Sequence, residues 1–409
     1  MSSHPPGDKL VLPERPNLRH LRDQAADLLA AGRATSVSDA QLQIARAYGF
    51  ASWPKLKAHV ESTAEVAELK RAIDANDLER VKTLMTANPE LHEAPIGYGK
   101  DGPLTWVAEC RVPWEPPSAN RLAIAEWMIA HGSDVHRGGD APLMRAALNS
   151  DRTAMMALLV AHGANVNAAW HGHFPIIFAP CESVDPVSLG WLLDHGADPN
   201  CGGAERWRSS SYSEPGTALD CVIASYVRAP ERLHACIDRL LDAGGTARFD
   251  APGVLSILRG RIDELREILA HNSDLVTHRF PELDFGVTGE RLLTLRGATL
   301  LHVAAEYVEL DAAKELIERG ADVNALATID EAGVGGQTPI FHAATQPGDA
   351  GLAMVRFLLE HGADLSLRAT LPGYYERPGE LLECNTLEYA MRFPESGNRA
   401  VTLLRARVG

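Results

Sequence analysis

Most catalytic signatures are missing from this chain of 409 residues. It has no GxxxxGK[ST] loop, and "GVGGQT" (333–338) follows no predicted strand, so nothing offers a nucleotide's phosphates a cradle. No HExxH motif and no paired CxxC occurs. The two imidazoles of "HGH" (171–173) fall short of the three or four ligands that zinc takes. GxSxG is absent, which removes the usual nucleophile elbow. No metal and no cofactor is expected.

Cysteine is scarce and scattered. Cys110, Cys181, Cys201, Cys221, Cys236 and Cys384 have no regular spacing, unlike the dense frameworks of small secreted domains. They read as reduced thiols. No run approaches eighteen apolar residues, and the start "MSSHPPGDKLVLPERP" has no apolar h-region. A membrane role is not expected, and a cytoplasmic location is. An excess of basic charge is lacking too. Against 54 acidic residues stand 39 basic ones, a net charge of −15. Nucleic acid is therefore excluded as a partner, because phosphate binding needs a basic surface.

What the chain does contain is a phrase that recurs about every thirty-three residues. It reads "IAHGSDVH" (129–136), "VAHGANVN" (160–167), "LDHGADPN" (193–200), "IERGADVN" (317–324) and "LEHGADLS" (359–366), with weaker copies at 85–92, 241–248 and 269–276. Upstream of each lies a partner segment such as "APLMRAAL" (141–148), "ATLLHVAAE" (298–306) or "TPIFHAAT" (338–345). Two short helices fit between the Pro-like start and the glycine. Proline suits a first helical turn, and glycine suits a left-handed cap.

"TLLHVAAEYVELDAAKELIERGADVNA" (299–325) resembles the ankyrin repeat, and the resemblance covers about residues 64–409. It implies an all-α solenoid of about eight helix-turn-helix units, whose neighbours share one continuous core. Residues 385–409, which lose the glycine phrase, would form the C-terminal cap. Residues 1–63 are expected to form an N-terminal helical cap. There "PNLRHLRDQAADLLAAGR" (16–33) puts Leu18, Leu21, Ala25, Leu28 and Leu29 on one helical stripe, and a later helix restarts at Trp53-Pro54.

Four linkers are too long for a plain turn: 201–216, 276–297, 325–336 and 368–384. They hold Trp207, Tyr212, Phe280, Phe285, Tyr374 and Tyr375, an unusual aromatic load for disordered chain. Insertions of this kind gather on one edge of a repeat array, where they do not interrupt stacking. They are expected to curl over the concave side.

The resemblance also implies that residues just after the Ala-Ala pair face the groove. By position these are Glu109, Cys181-Glu182, Glu306, Thr345-Gln346 and Arg392. His302 falls where such repeats place a structural histidine that bridges fingers. His342 falls one place later, toward the inside, with Gln337 at the head of its unit. The loops add Trp170, His171 and His173, then Asp284, then Tyr375 and Glu376.

Two functions follow. One is recognition of a protein or peptide partner in the groove, which is what the resemblance implies. The alternative is an enzyme whose groove binds a polar small molecule such as a sugar, and hydrolyses it with a pair of carboxylates. For that pair the candidates are Glu182, Asp284 and Glu306. Glu109, Trp170, His171, His173, Gln337, His342, Thr345, Gln346, Tyr375, Glu376 and Arg392 are the ligand-binding candidates.

Overall fold

The structure is a computed structural model. It describes residues 10–13, 16–97, 99–111, 115–202, 216–248, 251–286, 291–373, 377, 379–393 and 398–408. The chain divides into two compact units, Met1–Arg137 and Gly138–Gly409. Both are helical, and two short hairpins interrupt the second.

In the first unit, α1 (Leu18–Ala30), α2 (Val37–Ala47) and α3 (Trp53–Asp74) enclose a core of Leu21, Ala25, Ala40, Ile44, Leu56 and Val60. The side chains of Asn17 and Ser36 cap α1 and α2 by accepting backbone N–H groups that no helical carbonyl reaches. Leu29 departs from the expected stripe. Its neighbours Leu21 and Ala25 are buried, while it stands on the exposed side of α1. Helix α3 starts at Trp53 and runs through position 63, so no helix ends where the repeat array was expected to begin. Then come α4 (Leu78–Ala87), α5 (Pro103–Glu109) and α6 (Ala119–Ala130).

The second unit is a succession of helix pairs. These are α7 (Arg137–Ala147) with α8 (Thr153–Ala161), α9 (Phe178–Glu182) with α10 (Pro186–Asp194), and α11 (Ala218–Ala224) with α12 (Pro230–Asp242). There follow α13 (Val254–Leu258) with α14 (Ile262–His271), α15 (Leu300–Glu306) with α16 (Leu310–Glu318), α17 (Pro339–Ala344) with α18 (Leu352–Glu360), and α19 (Thr386–Ala390) with α20 (Asn398–Val408). Small residues let first helices approach: Ala304, Ala305, Ala343 and Ala344 are all buried where α15 meets α17. The start of α7 is not helical. Gly138, Gly139 and Asp140 take left-handed angles, and a Cβ on Gly139 would lie 2.2 Å from the Ala169 carbonyl oxygen.

The recurring phrase has a physical meaning at each letter. Its histidine ends the second helix. In α10, His195 Nδ1 lies 2.7 Å from the Trp191 carbonyl oxygen, and its ring stacks on the indole at 3.7 Å. His361 repeats the hydrogen bond on Phe357, with its ring tilted against the phenyl at 4.2 Å. The terminal asparagine ties one finger to the next. Asn167 donates to Gly196 O and accepts from Asp198 N, Asn200 does the same with Gly244 and Thr246, and Asn324 with Gly362 and Asp364.

The α13–α14 pair breaks this pattern. Its bounding fingers carry Arg248 and Val276 in place of asparagine. Side chains of the flanking pairs reach across it instead: Arg228 to Glu306, His234 to Glu309 at 2.6 Å, and the Tyr307 hydroxyl to Ile223 O.

The long linkers differ in how far they pack where they are described, and most of 325–336 is exposed. In 276–297, Phe280, Leu283, Phe285, Leu293 and Leu295 are all buried. Burying each such side chain is worth about 1.5–3 kcal/mol. Linker 368–384 forms an antiparallel hairpin, β3 (Arg368–Pro372) with β4 (Leu381–Asn385), the counterpart of a smaller one, β1 (Ala169–Trp170) with β2 (Phe174–Pro175). Ala369, Leu371 and Cys384 of the larger hairpin share a small core with Leu293, Phe341, Tyr389 and Phe393. Linker 325–336 joins this hairpin through a bridge between Gly335 and Thr370. Most of linker 201–216, with Trp207 and Tyr212, lies outside the described residues, as does Tyr374.

Candidate functional site

The last residue of α15 is the centre of a dense polar cluster. Glu306 is wholly buried and its two oxygens meet three side chains. Arg228 Nη2 donates to Oε1 at 2.7 Å, and Arg291 Nη2 donates to Oε1 at 2.7 Å and Oε2 at 2.8 Å. His342 Nδ1 lies 2.7 Å from Oε2. Arg228 also stacks its guanidinium over Tyr307 at 4.6 Å and donates to the Ser225 carbonyl. Both guanidiniums are almost completely out of water.

Burial alone would raise the Glu306 carboxyl, but Arg291 and Arg228 outweigh it and hold the group well below the usual carboxylate range. Burial has the opposite consequence for the imidazoles. It lowers His342, even though the bond to Glu306 favours the charged ring, and it pushes His302 down to about 3. His342 is therefore neutral. With Nδ1–H directed at Glu306, its Nε2 is left as an acceptor, and that atom is buried without a hydrogen-bond partner. Gln346 Nε2 donates to the His342 carbonyl at 2.7 Å, and its Oε1 is buried without a partner too.

The expected groove residues thus fall into separate groups. Glu306, His342 and Gln346 come together, but inside the protein, with Thr345 beside them and its hydroxyl on the Phe341 carbonyl. Gln337 is buried and its carbonyl lies 3.1 Å from His302 Nε2, while His302 Nδ1 lies 2.9 Å from Thr299 Oγ1. His302 therefore bridges fingers as the resemblance implied. Asp284 accepts from Arg248 at 2.9 Å, and burial raises its carboxyl. Trp170, His171 and His173 gather on the β1–β2 finger, with the Arg145 guanidinium over the indole at 5.7 Å. In the first unit, Glu109 is buried and pairs with Arg111 at 2.9 Å. Arg392 is exposed, and Tyr375 and Glu376 lie outside the described residues.

The three carboxylates proposed for acid/base work have unlike surroundings. Glu306 is locked in ion pairs and Asp284 is matched by Arg248. Glu182 lines a cleft of about 110 Å³ with Phe178, Thr217, Asp220, Cys221 and Tyr226. Burial raises its carboxyl, with Arg145 pulling the other way. Among the described residues no hydrogen-bond donor reaches that carboxylate. Cys181, next to it in sequence, is wholly buried, and burial raises its thiol well above the usual range, which disfavours the thiolate.

Sequence reasoning missed Arg228, Arg291 and Tyr226. Arg228 lies 78 residues before Glu306, so no local spacing betrays the pair. Arg291 carried one faint signal, a basic residue just before the apolar run "LLTL" in a linker otherwise read for its acids and aromatics. Among the described residues no three His, Cys, Asp or Glu side chains gather as metal ligands would, and no helix is long and apolar enough to cross a membrane.

Comparison with known proteins places the repeats. A family model described as three copies of the ankyrin repeat matches residues 254–369, and a single-repeat model matches 138–171. A curated relative, the putative ankyrin repeat protein FPV022 of Fowlpox virus (strain NVSL), is 26% identical over 289 residues. That match takes in 67% of this chain and 44% of the relative, so the chain spans less than half of the viral protein's length. Among solved structures, the crystal structure of the human ASB11 ankyrin repeat domain matches with a TM-score of 0.31 at 23% identity. The match covers 66% of this chain and 98% of that one.

Proposed function

Since the chain is an ankyrin-repeat protein, we propose that it is a recognition scaffold. In this reading a partner polypeptide lies along the second unit, where its first helices end. The step from repeat to partner binding is an analogy at the level of fold. One observation of the molecule carries it further. The polar side chains at the end of α15 and along α17 are buried, whereas the Glu182 cleft keeps an unmatched carboxylate and a rim residue, Tyr226, that is 51% exposed. An exposed tyrosine beside a small pocket is the kind of residue that anchors a protein interface. Six free thiols fit a cytoplasmic location, and the net charge of −15 argues against nucleic acid.

The test begins with p-benzoylphenylalanine in place of Tyr226, to crosslink and identify the partner. The Kd of that partner is then measured against the Tyr226→Ser variant. A loss of about 10–100-fold is expected of an anchoring aromatic. Crosslinks spread over many unrelated proteins, with a Kd indifferent to Tyr226, would remove the proposal.

A second reading, hydrolysis of a sugar-like small molecule, draws on the free acceptor at His342 Nε2. Glu306 would then orient the imidazole and His342 would be the base, because a carboxylate matched by two guanidiniums is a poor nucleophile. A thermal-shift screen with sugars, compared between the parent and His342→Gln, decides it. Sugar-induced stabilisation that vanishes in the variant supports this reading, and no stabilisation in either rejects it.

A further inference from the structure

We propose that the cleft at the ends of α9 and α11 receives a lysine or arginine side chain of the partner polypeptide, with the Glu182 carboxylate as its counterion. This rests on the recognition reading and adds the partner's chemistry to it.

The lining chooses the ligand. Phe178 is buried at the floor, and Cys221, Ala224 and Tyr226 supply further apolar surface. Two carboxylates are present, but one is already used. Asp220 Oδ2 accepts from Thr217 N at 2.9 Å, completing the capping box of α11, and Oδ1 accepts from Arg248 N at 3.0 Å. The hydroxyls are used as well: Ser225 Oγ donates to Glu182 O at 2.9 Å and Thr217 Oγ1 donates to Thr246 O at 2.8 Å. The carboxylate of Glu182 is left, with Arg145 acting on it only from a longer range.

What remains is an apolar sleeve with one acceptor that lacks a donor. An anionic group would meet two carboxylates. A neutral apolar group would cover Glu182 without satisfying it, and a half-buried charge without a partner is costly. Apart from the Tyr226 hydroxyl at the rim, the hydroxyls of the lining are already committed, so a sugar's network of donors and acceptors is matched less well than a cation. A lysine or arginine matches both parts, since its aliphatic stem covers apolar surface while its head stays polar. The cleft has a volume of about 110 Å³, well above the roughly 10–15 Å³ that one water needs on the same measure. Burial raises the empty carboxyl, and an entering cation would pull it back down. The chain's net charge of −15 would also draw a basic partner toward it.

The full chain is used to select binders from a displayed library of random dodecapeptides. Peptides sharing one lysine or arginine are expected. Replacing that residue by norleucine or citrulline should weaken binding at least about tenfold. Glu182→Gln should weaken the parent peptide to a similar degree, and should erase the difference between lysine and norleucine. Unfolding curves of the variant, matched to the parent, establish that the fold persists. Binders without a basic residue, or a parent Kd unmoved by Glu182→Gln, overturn the inference. If Tyr226→Ser still weakens those binders, the recognition reading survives and only the cation is lost. No binders at all, or binders indifferent to both positions, overturn both.

Discussion

His342 Nδ1 stands 2.7 Å from Glu306 Oε2, and neither side chain touches solvent. The pair accounts for an imidazole at a wholly buried position in α17. The imidazole occupies a hydrogen-bonding site on a carboxylate that two arginines already hold. Removing one member of such a cluster strands the others. Glu306→Ala is expected to cost about 3–5 kcal/mol, read from urea unfolding, because it leaves two buried guanidiniums without their anion. Arg228→Met should cost less in a Glu306→Leu background than in the parent. Equal costs would mean that the two groups are not coupled.

Acid should unfold the protein in two stages. The folded values of His302 and His342 lie below the ordinary histidine value, because burial disfavours their charged forms. Below about pH 6.5 the unfolded chain therefore takes up protons that the folded chain does not. Stability is full above that pH and falls as pH drops through it, by up to about 1.4 kcal/mol per pH unit for each ring. His92 in the first unit, also lowered by burial, adds in the same sense. Glu306 contributes stability that is present above about pH 4.3 and lost as pH falls further toward its depressed folded value. Urea midpoints between pH 7.5 and 5 should fall less steeply for His342→Gln. Identical slopes would contradict a neutral buried imidazole.

Asn167 and Asn324 each make one bond as donor and one as acceptor to the next finger. Asn167→Ala and Asn324→Ala are each expected to lose about 1–3 kcal/mol, the usual consequence of removing a net bond or two. Chemical denaturation measures this. A loss under about 0.3 kcal/mol, within the ordinary scatter of surface changes, would show that the fingers are held by helix packing alone.

Two glycines separate conformational strain from crowding. Gly320 has φ +89 and open space where a Cβ would go, so Gly320→Ala should cost about 1–2 kcal/mol from backbone strain alone. Gly139 has φ +75, with the Ala169 carbonyl oxygen 2.2 Å from the ideal Cβ. Gly139→Ala must also displace the β1–β2 finger, and its loss of stability should be clearly the larger of the two.

The repeat was legible because each of its letters has a local cause: glycine for the left-handed cap, histidine for the last carbonyls, asparagine for the next finger. Those causes act within a few residues or at a fixed period, so a linear pattern records them. The burial of Glu306 was not legible. Its partners Arg228 and Arg291 sit in connecting segments, and only folding of the 276–297 linker onto α15 brings Arg291 to it. His342 was placed toward an inner groove, yet it is wholly buried, and the 276–297 linker brings Arg291 to the same carboxylate. At Glu182 the type of residue was legible and its isolation was not. Isolation depends on Asp220 and Ser225 being committed elsewhere.

The side chains that straddle α13 and α14 have a mechanical meaning. Arg228 on Glu306 and His234 on Glu309 connect the pairs on either side directly, in parallel with the short pair between them. Tension drawn along the second unit would divide at that point, part passing through the weakest link and part around it. The section whose fingers lack the asparagine tie is thus splinted from outside.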